Sequence, residues 1–301
     1  MNEARQHPDL RPAPVNALVL GGGGPAGVSW MSAFLDGLAS LGLSVNGFDV
    51  VMGTSAGAVA GAWLTMQPQS LPLVPERMRE RAITHLDAVR DGKVDKSLMQ
   101  RALNRSAQGR ESTLEIAQAA VAAISPVSAG EAESAWRAAL PAGAWPRQFK
   151  VTAVNAHTGL ATVWSARDGI PLAVAVASST AAPGVAPPVH VAGSVWVDGG
   201  VRSTTNADML AESAGNDDQE RAGYATGSGK VVILAPRPTN NLALEEKLLG
   251  ERGHRVRVIT AEPFYKTPAD LLDPRVIDMA AATGSSQARD LAAELKAWLS
   301  P

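Results

Sequence analysis

The sequence predicts an α/β fold in which mainly parallel strands form a central sheet covered by helices on both faces. Three observations predict it. The chain opens as strand, loop, helix, strand, loop, helix; glycine-rich corners follow both early strands; and strand-like runs return after residue 149. With 301 residues, 46% of them hydrophobic, the chain can bury a sizeable core.

Val15–Leu20 reads as a buried first strand, and Gly21-Gly22-Gly23-Gly24-Pro25-Ala26-Gly27 as the loop after it. Val28–Leu41 is then helical, with Val28, Met31, Leu35, Leu38 and Leu41 on one face and Gly42 as its stop. Phe48–Met52 is a second strand and Ala56–Met66 a strongly apolar helix. Residues 67–146 are more charged and carry two capping-box signatures, Ser112-x-x-Glu115 and Ser128-x-x-Glu131. They are expected to be helical without a strand, as an insertion packed on the sheet or a lid. Strands return at Phe149–Val154 and Leu160–Trp164, followed by an apolar helix over Ile170–Ala177, a Pro/Ala loop and a strand at Ser194–Val197. Residues 211–230 are polar and rich in Gly, Ser and Asp, which reads as a flexible surface loop. Val231–Ala235 and Val256–Thr260 are two further strands, and helices from about Pro268 close the chain. The polar, proline-containing residues 1–14 read as a disordered leader, and residues 15–301 as one catalytic domain without internal repeats.

The balance of 27 basic and 29 acidic residues shows no footprint for nucleic acid. Zero cysteines exclude a disulfide framework, thiol catalysis and zinc–thiolate sites, and fit a reducing, cytoplasmic compartment. No apolar run is long enough to span a bilayer: residues 170–188 come closest but are broken by Pro183, Pro187 and Pro188. Membrane contact would therefore be interfacial and the protein peripheral.

Gly53-Thr54-Ser55-Ala56-Gly57 is the most informative motif. A serine between two glycines at a strand-to-helix corner is a nucleophile elbow, because the glycines permit a tight turn that holds the hydroxyl outward. Gly22-x-Gly24-x-x-Gly27 also fits a dinucleotide fingerprint, but that site needs an acid at the far end of the second strand. The nearby acid, Asp49, lies at the start of that strand, and the strand ends in the serine corner. Both glycine-rich corners end adjacent parallel strands, so both belong at the carboxyl edge of the sheet. The loop amides can there serve as an oxyanion hole, aided by the helix that follows.

Three readings compete for the partner of Ser55. A triad needs a histidine. His7 lies in the leader, His85 in a charged helix, His157 in a hairpin turn and His190 beside a strand; His254 is late enough in the chain for an α/β-hydrolase order. That fold, however, places several strands before its elbow. A carboxylate acting directly is the second reading: Asp198-Gly199-Gly200 follows a strand, and the glycines allow close approach of another loop. Asp168-Gly169 is a similar pair and reads as a turn. An aspartate near its reference pKa of about 3.9 is a poor base, and burial, here beside Val195, Trp196 and Val197, makes it a better one. In the third reading Ser55 is merely a turn residue.

Together Gly22-Gly23-Gly24-Pro25-Ala26-Gly27, Gly53-Thr54-Ser55-Ala56-Gly57 and Asp198-Gly199-Gly200 resemble the patatin-like phospholipase family in order and spacing, as does the segment from Ala177 to Pro188. The resemblance covers most of Val15 to Asn206, and the tail from Leu272-Asp273-Pro274 looks more loosely like bacterial members. It implies a three-layer α/β/α fold and a carboxylic ester hydrolase acting on phospholipids, lysophospholipids or other acyl lipids, with no metal or cofactor. It implies Ser55 as nucleophile, Asp198 as base, and Gly22, Gly23 and Gly24 as oxyanion hole, supported by Gly27, Gly53, Gly57, Gly199 and Gly200. The family often has Arg or Lys where this chain has Ala26, which puts a preference for anionic head groups in question. Trp30 and Trp63 could line an acyl channel, although core packing explains them as well. The rival to hydrolysis is a lipid-binding regulator that keeps the scaffold without turnover.

Overall fold

The computed structural model describes residues 15–43, 45–104, 109–214 and 229–300. The expected leader at 1–14 and most of the expected loop at 211–230 lie outside the described residues. Among the described residues nine strands form one sheet: β1 (Ala17–Leu20), β2 (Val50–Thr54), β3 (Val127–Ser128), β4 (Phe149–Asn155), β5 (Ala161–Trp164), β6 (Val189–Val191), β7 (Ser194–Asp198), β8 (Lys230–Ala235) and β9 (Arg255–Thr260). Pairing runs β3-β6-β7-β4-β2-β1-β8-β9, with β5 also paired to β4 and with β7 and β2 taking successive halves of one edge of β4. From β4 through β2, β1 and β8 to β9 every neighbour is parallel. The other pairings of β4 and the β6–β7 hairpin are antiparallel.

Alternation along β1 explains the layers. Leu18 and Leu20 face one apolar cluster, packed with α1 (Gly24–Ser40) and α2 (Ala56–Met66). Ala17 and Val19 face a second cluster, packed with residues 207–210 and α8 (Asn241–Glu251). The sheet is thus buried on both sides, as an α/β/α arrangement requires. α9 (Ile277–Leu299) lies along α1 and closes the first face.

Between β2 and β4 the chain forms α3 (Val74–Arg90), α4 (Lys96–Asn104), α5 (Arg110–Ala123) and α6 (Ala129–Arg137). The expected helical character of this stretch holds, apart from the two-residue β3, which is too short to leave a periodic signal. Ser128 forms its capping box, accepting from the Glu131 amide while Glu131 accepts from the Ser128 amide at 2.8 Å. Ser112 does not: α5 begins at Arg110 with Gly109 as its N-cap, so Ser112 already lies inside the first turn. α7 (Leu172–Ser179) matches the apolar helix read near 170, whereas β6 and α8 gave no reading of their own. Among the described residues no helix is long and apolar enough to cross a membrane.

The register around β4 positions the site. β5 pairs with Val151, Thr152, Ala153 and Val154 on one edge of β4. The opposite edge is shared by β2, parallel to the first half of β4, and β7, antiparallel to the second half. The carboxyl ends of β2 and β7 therefore meet head to head: Thr54 lies opposite Thr152 and Asp198 opposite Ala153.

Candidate active site

Two glycines close the corner after β2. A Cβ on Gly57 would lie 1.8 Å from the Leu20 carbonyl oxygen, and one on Gly53 2.4 Å from the Gly57 carbonyl oxygen. Lacking side chains, these residues let β1, β2 and α2 approach backbone to backbone. Between them Ser55 has φ 53 and ψ −113, outside the regions an L-residue ordinarily adopts. Its amide donates to Ser179 Oγ at 2.8 Å, which holds the strained peptide in place. Its hydroxyl donates to Asp198 Oδ2 at 2.7 Å.

Asp198 is 5% exposed. Its Oδ1 accepts the Gly200 amide at 2.7 Å, and its own amide donates to the Ala181 carbonyl at 3.1 Å. Burial pushes the carboxyl up to about 6; the hydrogen bonds from Ser55 and Gly200 and the nearby Arg237 charge oppose that rise only in part. The Asp198-Gly199-Gly200 turn is stitched to the elbow. Thr54 Oγ1 and Thr152 Oγ1 lie 2.7 Å apart, and Asn206 Nδ2 donates to the Gly199 carbonyl at 3.1 Å and to Thr54 Oγ1 at 3.3 Å. A Cβ on Gly199 would stand 2.5 Å from Thr152 Oγ1, so only glycine fits there.

The glycine-rich loop passes beside the serine: a Cβ on Gly22 would be 3.4 Å from Ser55 Cβ. Helix α1 begins at Gly24 rather than at Val28, so the second half of the expected loop is the first helical turn, with Pro25 where its missing N–H costs nothing. The Gly22 amide already donates to the Thr204 carbonyl at 2.7 Å, which takes it out of the expected set of three oxyanion donors. The amides of Gly23 and Gly24 have no partner among the described residues, as expected at a helix N-terminus. Gly24 has φ +59, and a Cβ on it would lie 2.7 Å from the Leu271 carbonyl oxygen.

These groups open into a cavity of about 350 Å³ that also takes walls from α3 and α4, including Met78, Arg81, His85 and Met99. Trp30 and Trp63 do not line it. Trp30 is fully buried, stacks on Phe34 and donates from Nε1 to Gln287 Oε1 at 2.7 Å; Trp63 is buried under Arg77. Both are core residues.

Among the described residues no histidine takes part in the Ser55–Asp198 contact, and His7 lies outside them. His254 sits at the start of β9, at the amino edge of the parallel strands, whereas the site lies at their carboxyl edge. His157 is in the β4–β5 turn with Nδ1 3.1 Å from Ser194 Oγ, and His190 is exposed on β6. His85 lies in the charged helix α3, as expected, and is half-buried in the cavity wall. Asp49 accepts the Asn16 amide at 2.8 Å at the amino edge, far in register from the glycine loop, so the ribose-holding acid of a dinucleotide site is missing there. Asp168 caps a short turn with Ser165, as read.

Sequence reasoning missed Ser179, Thr204, Asn206 and Arg237. Arg237 follows β8 by two residues, and position at the carboxyl end of a parallel strand is the signal that could have found it. Ser179 stands within the segment from Ala177 to Pro188 but had no role of its own there; Thr204 acts through its backbone carbonyl and Asn206 through its side-chain amide, and neither leaves a motif.

Comparison with the curated proteins gives no match. Among solved structures, VipD from Legionella pneumophila matches with a TM-score of 0.40 and 13% identity, over 94% of this chain and 68% of that one. The family model described as patatin-like phospholipase matches residues 18–211, which include both glycine-rich corners and Asp198. A match over more than half of the chain, on a mainly parallel sheet covered on both faces, settles membership: the chain belongs to the patatin-like phospholipase family, a family of lipid acyl hydrolases.

Proposed function

We propose that the protein hydrolyses carboxylic esters of acyl lipids through a Ser55–Asp198 dyad and an acyl-enzyme. The observation that carries this reading is the 2.7 Å hydrogen bond from the Ser55 hydroxyl to a buried carboxylate. A carboxylate held near 6 is matched to a task at neutral pH: it is ionised there, yet basic enough to take a proton.

Asp198 accepts the hydroxyl proton as Ser55 Oγ attacks the acyl carbonyl carbon, and the carbonyl electron pair moves onto oxygen. The Gly23 and Gly24 amides, at the positive end of α1, stabilise that oxyanion. The tetrahedral species collapses, the alcohol leaves with the proton from Asp198, and the acyl group stays on Ser55. Water then gives its proton to Asp198 and attacks the ester; the fatty acid leaves as Ser55 recovers the proton. The 15–301 segment acts as one catalytic unit, and lipid is reached by interfacial contact.

The test is hydrolysis of a p-nitrophenyl acyl ester, with fluorophosphonate labelling of the same preparations. Ser55→Ala abolishes labelling and turnover, and Asp198→Asn abolishes most turnover, with both proteins folded. Full activity in Asp198→Asn ends the dyad. Folded wild-type protein that takes no label favours a binder without turnover.

A further inference from the structure

The cavity that holds Ser55 carries an uneven charge. Arg81, His85 and Arg237 line it, and among the described residues Asp198 is its one carboxylate. Arg237 is engaged: its guanidinium donates to the Leu103 carbonyl and faces Asp198 and Tyr265. Arg81 is different. It lies one helical turn before His85 on α3, so the two side chains share a face. Its guanidinium stands 3.7 Å from the centre of the Trp136 ring, and among the described residues no carboxylate pairs with it. Stacking fixes the guanidinium plane but supplies no counter-charge. A desolvated cation without an anion is costly, and a bound anion removes that cost. Much of the remaining wall, including Val28, Val59, Met99 and Leu272, is apolar, so the cavity suits an amphiphile with one charged end. Ala26 is fully buried and lies outside the cavity wall, so the glycine loop adds no charge there; Arg81 on α3 and Arg237 after β8 carry it, while burial lowers the His85 pKa and favours its neutral ring.

We infer that Arg81 and His85 form the polar end of the substrate cavity and select acyl lipids with an anionic head, phosphate or carboxylate, over neutral ones. This rests on the acyl-hydrolase reading and adds the charge of the substrate to it. The planar fork of Arg81 suits the paired oxygens of either anion, and His85 adds a ring N–H donor beside it.

The experiment measures binding of octyl phosphate, octanoate and octanol to the full chain by calorimetry. None is a carboxylic ester, so the result stands apart from the fate of the Ser55 and Asp198 variants. Wild-type protein binds octyl phosphate about tenfold tighter than octanol or more, as one charge-assisted contact implies. Arg81→Met lowers that preference to about threefold or less, and Arg81→Lys, which keeps the charge without the fork, lies between. Octanoate matching octyl phosphate means that the site reads charge alone; octyl phosphate standing apart means that it reads phosphate. No preference in wild-type protein, or an undiminished one in folded Arg81→Met, overturns the inference. If Arg81→Met does not fold, salt decides on wild-type protein. Added NaCl weakens octyl phosphate relative to octanol, and an equal response of the two ligands overturns it.

Discussion

Ser55 and Asp198 are each held in a state that is unfavourable in isolation. Ser55 has a positive φ, kept by its bond to Ser179 and by the crossing of Gly57 over Leu20. Asp198 is a carboxylate buried enough to move from 3.8 to about 6. Two consequences follow at this scale. If ionised Asp198 is the base, kcat/KM rises with pH through about 6 and is flat above it; a flat profile from pH 5 to 7 would count against the base role. The raised value also means that ionisation costs stability. The cost is absent below 3.8 and complete above about 6. Two pKa units correspond to about 3 kcal/mol. Asp198→Asn therefore melts above wild type at pH 7, with a difference that shrinks toward pH 4, as thermal unfolding across a pH series will read. Such a gain in stability with loss of turnover is the expected signature of a strained functional site.

At the scale of elements, α8 supports the site without touching it. Glu245 is buried on this helix and accepts from Ser203 Oγ at 2.5 Å, from Thr205 Oγ1 and from the Ala207 amide at 3.0 Å. It thereby fixes residues 203–207, from which Thr204 takes the Gly22 amide and Asn206 clasps Gly199 and Thr54. Glu245→Ala leaves these donors buried and unpaired and is expected to lower stability by about 1–3 kcal/mol for each, as read by urea denaturation. Glu245→Gln, whose amide oxygen still accepts, recovers part of the loss. Equal stability of the alanine variant and wild type would show that α8 does not hold residues 203–207 in place. At the other wall, Gly24→Ala meets both a positive φ and the Leu271 carbonyl, so it displaces the first turn of α1. The expected loss in kcat is on the order of 10² to 10³, the effect of one missing oxyanion donor.

At the scale of the whole molecule, the last helix locks the first. A Cβ on Gly284 of α9 would stand 2.3 Å from the Trp30 carbonyl oxygen, and one on Gly37 of α1 2.7 Å from Ala288 Cβ. Small residues on both helices let the backbones approach closely, and Gln287 reaches across to Trp30 Nε1. Gly284→Ala is expected to destabilise the protein by about 1–3 kcal/mol through overpacking, seen as a lower Tm. The midpoint of its pH–activity profile stays that of wild type, since Asp198 lies at the sheet edge. A moved midpoint would show that the α1–α9 contact reaches the site.

The sheet layers, the serine corner, the glycine loop and the Asp-Gly-Gly turn were legible in the chain because each depends on local rules. Apolar alternation sets the faces of β1, and Gly53 and Gly57 permit what Ser55 must adopt. What the tertiary structure alone decided is which ends meet. That β2 and β7 abut on one edge of β4 is a matter of long-range register, and no local pattern encodes it. The same packing occupied the Gly22 amide, sent Trp30 and Trp63 to the core, and turned Arg81 and His85 into the cavity. Residue types announce which chemistry is available, but distance and desolvation between segments more than a hundred residues apart arise only when the sheet closes.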